Sequence, residues 1–252
     1  PMAELRPRQR KHLFRIETIS LPSSSKMHTP YLQEVYVDRS RPETPAPNNV
    51  AAPNGPSPRP HCPASYARGM AILPIRIWGD PVLHSAARPV AEITDQIRSL
   101  VSDMFETMDA APGVGLAAPQ VGVPLRIYTY AYFDDDGEPW RGSILNPELW
   151  MEPAAPGAPD PETESEGCLS FPEHKFPLRR ADHVRVTGID VDGNDVSIDV
   201  HGWRARIMQH EFDHLNGVVY IQRLIEPFAS RTRAIIEESG WGVPGLSWLP
   251  ES

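Results

Sequence analysis

An α+β fold is the class this sequence predicts, and two observations carry it. Short apolar runs closed by glycine, proline and aspartate turn signals recur between residues 71 and 200, the pattern of strands. Two other stretches carry the three- and four-residue apolar spacing of helices, one starting near Thr94 and one around residues 207–215.

The chain has 252 residues and a formal net charge of −9. That length suits one good-sized domain or two small ones. The acidic balance argues against a nucleic-acid binder, which needs a basic face. The two cysteines, Cys62 and Cys168, leave no disulfide framework, and a reducing cytosol is the simplest setting. No apolar run of about eighteen residues exists, so no membrane-spanning segment is expected.

Residues 1–69 differ from the remainder. They hold twelve of the 29 prolines, and Pro42 to Pro63 is poor in large apolar residues. Such a segment cannot bury enough surface to offset the entropy of ordering. A disordered, Pro-rich N-terminal extension is expected over 1–69, with the catalytic domain over 70–252. The composition break also suggests Met70 as the natural start. The basic opening (Arg6, Arg8, Arg10, Lys11, Arg15) is not read as a transit peptide, because Glu4, Glu17, Glu34 and Asp38 interrupt it. Cys62 is expected to be an unpaired thiol without a role.

From Met70 the elements follow in order. Ala71 to Trp78 is a candidate strand, closed by Gly79-Asp80-Pro81. Ile97, Leu100, Val101, Met104, Phe105 and Met108 mark a helix that Thr94 or Asp95 can cap and that Ala111-Pro112-Gly113 ends. Residues 125–133 and 143–150 read as strands around the solvated turn Asp134-Asp135-Asp136-Gly137. Met151 to Ser165 reads as a surface insertion. Val184 to Asp190 and Val196 to Val200 form a hairpin turned by Asp192-Gly193-Asn194. Asp190, Asp192 and Asn194 resemble the start of a calcium loop, but the twelfth position is His201 where a Glu is needed, so the hairpin reading stands.

The strongest chemical signal is Gln209-His210-Glu211-Phe212-Asp213-His214. Positions i and i+4 share one face of a helix, so His210 and His214 can bind one ion. Glu211 beside them can take a proton from water at that ion. Ile207, Met208, Phe212 and Leu215 supply the apolar positions, and Asn216-Gly217 a C-terminal stop. The bland alternative is a helix with two surface histidines, since catalytic sites usually take three protein ligands.

A third ligand is available. Glu166-Gly167-Cys168-Leu169-Ser170 holds the one cysteine beyond Met70. A lone cysteine is more often a small buried hydrophobe, but a glycine-flanked thiolate with two imidazoles suits zinc or ferrous iron. Upstream, Gly113-Val114-Gly115-Leu116-Ala117-Ala118-Pro119-Gln120 could be a variant dinucleotide loop. It follows a helical pattern where that fingerprint needs a strand, and Pro119 spoils a helix after it. The other reading is a tight loop whose backbone lies near a substrate, with Gln120 as an amide donor.

These three motifs, in this order, resemble the peptide deformylase family. The resemblance covers about residues 70 to 240; residues 1–69 and the insertion at 151–165 depart from it. The tail Gly240 to Trp248 is similar to forms from high-GC Gram-positive bacteria. The resemblance implies an α+β fold with antiparallel and mixed sheets wrapped around a central helix that carries the H-E-x-x-H motif, plus a C-terminal helix. It implies removal of the formyl group from the N-terminal formyl-methionine of nascent polypeptides at the ribosome, in the cytoplasm, releasing formate. By motif match, Cys168, His210 and His214 bind the metal, commonly Fe²⁺, with Zn²⁺ or another divalent ion as the alternative. Glu211 is the acid/base, and the Gln120 side chain and Leu169 backbone N–H donate to the oxyanion. Gly113, Val114, Gly115, Glu166 and Gly167 border the substrate. A conventional zinc peptidase normally uses His or Glu as third ligand, and a structural zinc module needs a fourth. Neither pattern is present. A catalytically silent relative is disfavoured by intact Glu211 and Gln120.

Overall fold

The computed structural model describes residues 71–133, 137 and 139–251. The N-terminal extension, Cys62 and residues Asp134 to Asp136 of the acidic turn lie outside the described residues.

The elements run β1 (Ile75–Arg76), α1 (Asp95–Ala110), β2 (Gly115–Ala117), β3 (Ile127–Phe133), β4 (Pro139–Met151), β5 (Ser165–Cys168), β6 (Phe171–Pro177), β7 (His183–Ile189), β8 (Asp195–His201), α2 (Gly202–Leu215), α3 (Phe228–Glu238) and β9 (Ser247–Trp248). Five strands make one antiparallel sheet in the order β2-β3-β4-β7-β8; β5 pairs β6, and β1 pairs β9.

Strand alternation places the two long helices on opposite faces of that sheet. Ile127 pairs Leu145, and Tyr128 pairs Ile144. Ile127 and Leu145 pack with Leu100, Val101, Met104 and Met108 of α1. Tyr128 and Ile144 point the other way and pack with Ala205, Met208 and Leu215 of α2. Successive side chains of a strand face opposite sides, so one sheet serves two cores. The α+β class and the central position of the H-E-x-x-H helix are both found.

Several boundaries move, each for a physical reason. Of residues 71–78 only Ile75–Arg76 form a strand. Upstream, the N–H groups of Ala71 and Leu73 donate to Asp103 and Thr107 of α1, both at 2.9 Å, in place of a sheet ladder. Thr94 holds the N-cap position of α1 without a side-chain capping bond, and Ala111 ends the helix. The strands expected at 143–150 and 196–200 run longer, at 139–151 and 195–201; the one expected at 184–190 lies at 183–189, and the one expected from 125 starts at Ile127. In the β7–β8 turn, Asp190 Oδ1 accepts the N–H of Asp192 and of Asn194, each at 2.8 Å. That carboxylate closes a turn rather than a calcium loop. Gly115–Ala117 is a strand, with Gln120 in the short 3₁₀ turn after it, so the dinucleotide reading fails.

Candidate active site and metal centre

Three elements converge on one point. β8 runs straight into α2 through Gly202, whose φ of +59° makes the strand-to-helix corner. The helix is buried nearly all round, including Arg206, Gln209, His210, Glu211, Asp213 and His214. The β5–β6 hairpin brings in Cys168, which pairs Phe171 and leaves Leu169-Ser170 as a two-residue turn. β2 and its following turn bring in Gly115 and Gln120.

The rings of His210 and His214 lie 5.0 Å apart between centroids. Cys168 Sγ is 3.2 Å from His214 Nε2. One donor atom from each of Cys168, His210 and His214 lies within 4.8 Å of the other two, a spacing that could hold a metal ion. The chemistry of the set fits: a sulfur that accepts the Ser170 N–H at 3.4 Å, and two imidazoles. His210 Nδ1 lies 3.0 Å from Glu166 Oε1. With Nδ1–H donated to that carboxylate, Nε2 keeps its lone pair for a cation, the usual carboxylate–histidine arrangement of metal sites. Burial, then the neighbouring His210, pushes the His214 imidazole well below its ordinary value, so it stays neutral.

Glu166 is itself locked. Arg180 donates Nη2 to Oε1 at 2.6 Å and Nε to Oε2 at 2.9 Å, and Arg206 Nη1 donates to Oε2 at 2.8 Å. Arg180 also bonds Asp213 Oδ2 at 2.8 Å, tying the pair to the metal-motif helix. Burial alone would raise the Glu166 carboxyl; the Arg180 guanidinium and His210 outweigh it and hold it well below the usual range. Expected beside the substrate, Glu166 does border the cleft over this cluster, but it is only 4 % exposed and both its oxygens are engaged.

Glu211 is the opposite case. It is 3 % exposed, and its Oε2 has no hydrogen-bond partner. Burial pushes its pKa up to about 7, against the opposing pull of His210 and Arg180. A carboxyl near neutrality with a spare oxygen is suited to moving protons. Gly115 leaves the room for it, since a Cβ there would stand 2.2 Å from Glu211 Oε1. Gly115→Ala is therefore expected to displace Glu211 and, with Glu211 as the acid/base proposed below, to lower kcat/KM by about 10²-fold. Steady-state kinetics of a variant with unchanged melting temperature checks this.

Gln120 Oε1 accepts the Ala117 N–H at 2.8 Å, which turns Nε2 toward Cys168 Sγ (3.7 Å) and Ser170 Oγ (3.4 Å). A cleft of about 980 Å³ opens over this cluster, bordered by Gly113, Val114, Gly115, Gly167 and Leu169. Trp248 of β9 also lines it and donates Nε1–H to the Leu169 carbonyl at 2.9 Å. The sequence reading missed Arg180, Arg206 and Trp248. Both carboxylate partners of Arg180, Glu166 and Asp213, lie inside motifs visible in the sequence.

A family model for polypeptide deformylase matches residues 72–229, more than half of the chain. The chain belongs to the peptide deformylase family. It is 49 % identical over 188 residues to the peptide deformylase of Mycolicibacterium paratuberculosis, covering 72 % of this chain and 95 % of the relative. It is 48 % identical to that of Rhodococcus opacus, covering 72 % and 94 %. Among solved structures, the peptide deformylase of Ehrlichia chaffeensis aligns at TM-score 0.59 and 33 % identity, over 68 % of this chain and 96 % of that one. Another structure of that enzyme, in complex with actinonin, aligns at TM-score 0.58 and 32 % identity, over 67 % and 98 %. The chain is thus a deformylase, a hydrolase of a metal-dependent family that removes the formyl group from the N-terminal methionine of new polypeptides. Among the described residues no helix is long and apolar enough to cross a membrane.

Proposed function

We propose that Cys168, His210 and His214 hold the catalytic metal, that Glu211 is the acid/base, and that Gln120 Nε2 and the Leu169 N–H stabilise the oxyanion. The observation that carries this reading is the unpartnered, buried Glu211 Oε2 on the helix whose two imidazoles lie with the Cys168 sulfur within 4.8 Å of one another. A divalent cation held there supplies positive charge that polarises the formyl carbonyl and acidifies water.

The chain's own groups do the rest. Glu211 takes the proton from the attacking water on its free oxygen and returns it to the amide nitrogen as the C–N bond breaks, giving formate and a free amine. Gln120, fixed by Ala117, and the Leu169 N–H at the hairpin turn donate where negative charge develops; each such donor is worth about 3–4 kcal/mol. Gly113, Val114, Gly115 and Gly167 shape the cleft for an extended substrate backbone. We assign Glu166 to orienting His210 rather than to touching the substrate.

The metal in this reading is ferrous iron, with zinc as the alternative. Cys168, His210 and His214 would hold zinc at least as tightly by the usual divalent order, and either ion would supply the Lewis acidity that the formyl carbonyl and water need. The substrate is the formyl-methionyl end of a nascent chain, met at the ribosome in the cytoplasm, and no nucleic-acid sequence is read. In this reading the catalytic domain spans residues 70–252. A protein starting at Met70 is expected to match the full chain in melting temperature and kcat/KM; a fall of several degrees on truncation would contradict that boundary. Formate release from a formyl-methionyl peptide, compared with a formyl-free control peptide, tests the activity itself.

A further inference from the structure

On the outer face of the sheet, three neighbouring strands bring ligand-type side chains together. His183 on β7 pairs directly with His201 on β8, and their rings stack with centroids 4.1 Å apart at 7°. Asp199 lies two residues before His201, on the same exposed side of β8. Glu152 follows β4 and its backbone N–H donates to the His183 carbonyl at 3.2 Å. One donor atom from each of His183, Asp199 and His201 lies within 4.8 Å of the other two.

His183 cannot satisfy both of its carboxylate neighbours as a neutral ring. Nδ1 is 2.9 Å from Glu152 Oε1 and Nε2 is 2.6 Å from Asp199 Oδ1. A neutral imidazole offers one N–H and one lone pair, so one contact sets lone pair against oxygen. A second proton resolves the conflict, and Glu152, then Asp199, raise the pKa of the ring accordingly. Once that proton is lost, a divalent cation held by Nε2 and Oδ1 relieves the same clash, provided the 2.6 Å contact opens and the stacked His201 ring turns out of its parallel alignment to bring in its own lone pair. The surroundings prepare for one. Glu152 accepts Nδ1–H and fixes the tautomer. Arg185 donates Nε and Nη2 to Asp199 Oδ2 at 2.9 and 2.7 Å, which leaves Oδ1 facing His183. Asp182 Oδ2 stands 3.5 Å from His201 Nδ1, an exposed ion-pair distance rather than a hydrogen bond.

We propose that His183, Asp199 and His201, with Glu152 orienting His183, form a surface site for a divalent transition metal, separate from the cysteine–histidine cluster in the cleft. Two imidazoles and one carboxylate select the zinc class of ions; calcium and magnesium need all-oxygen shells. Since His201 immediately precedes α2, an ion here would clamp the sheet where the metal-motif helix begins.

The test is equilibrium dialysis of the enzyme, carrying its catalytic metal, against Zn²⁺ at about pH 7.5 and about pH 5.5, where imidazole ligands become protonated. Total metal per chain is counted by elemental analysis. The expected result is one equivalent beyond the catalytic one at the higher pH, none extra at the lower, and a higher melting temperature with the extra ion. His201→Gln and Asp199→Asn should each weaken the extra binding at least ~10-fold, the scale of a lost contact around a metal, while deformylation stays unchanged. No extra equivalent in the parent protein, or one that survives both substitutions, overturns the site.

Discussion

Glu211→Gln, loaded with metal, is expected to lose about 10²–10⁴-fold in turnover, the usual contribution of a general acid–base group. The amide keeps the shape and burial of the carboxyl but cannot take the proton of the attacking water. Metal content should stay at the parental level, because Glu211 lies outside the Cys168–His210–His214 cluster. Stability should move the other way. Burial raises the Glu211 pKa from 4.5 to about 7, so in the metal-free protein the folded state favours the protonated form. That advantage is complete below about pH 4.5 and is lost as pH rises through about 7. At pH 8 the metal-free variant should therefore be the more stable protein in urea, having no buried charge to desolvate. Parallel kinetics, metal analysis and urea melts check all three. Normal turnover in the metal-loaded variant would remove Glu211 from the mechanism.

Glu166→Gln should instead be felt mainly in stability and metal retention. The carboxylate joins Arg180, Arg206 and His210 in a buried network. Removing one partner of a buried ion pair costs about 3–5 kcal/mol, toward the lower end here because Arg180 keeps Asp213. For a domain of this size that is a fall of roughly 10 °C in melting temperature. His210 also loses the acceptor on Nδ1, so metal affinity should fall about 10–100-fold. The sign with pH follows from the depressed Glu166 pKa. Its stabilisation is complete above the ordinary value of 4.5 and disappears as pH falls through the lower folded value. The gap between parent and variant should therefore close in acid. A gap that stays constant from about pH 7 to pH 3 would mean that the charge of Glu166 is not what stabilises the fold.

The fold and site were legible where one local spacing carries the physics. His210 and His214 are readable because i and i+4 must share a helical face, and α1 because only one of its faces is buried. The first turn of α2 was not readable: Gly202 to Arg206 opens on a glycine and buries the charged Arg206 beside Ala205, so it shows no polar-apolar contrast. The β5–β6 hairpin was equally hidden, since Ser165-Glu166-Gly167-Cys168 lacks strand-forming residues and its alternating buried positions are filled by a charged Glu166 and Cys168. Arg180 and Trp248 escaped for another reason. Their roles depend on partners 33 and 79 residues away, Asp213 and Leu169, and nothing local marks such pairings.

The most direct measurement of the central claim is metal content and formate release determined together on protein purified without oxygen, before and after chelation. Expected are about one iron per chain at the catalytic cluster, activity on a formyl-methionyl peptide that disappears with the metal and returns with added Fe²⁺, and weaker activity with Zn²⁺. Full formate release from metal-free protein, or metal retained at parental affinity after Cys168→Ala, would contradict it.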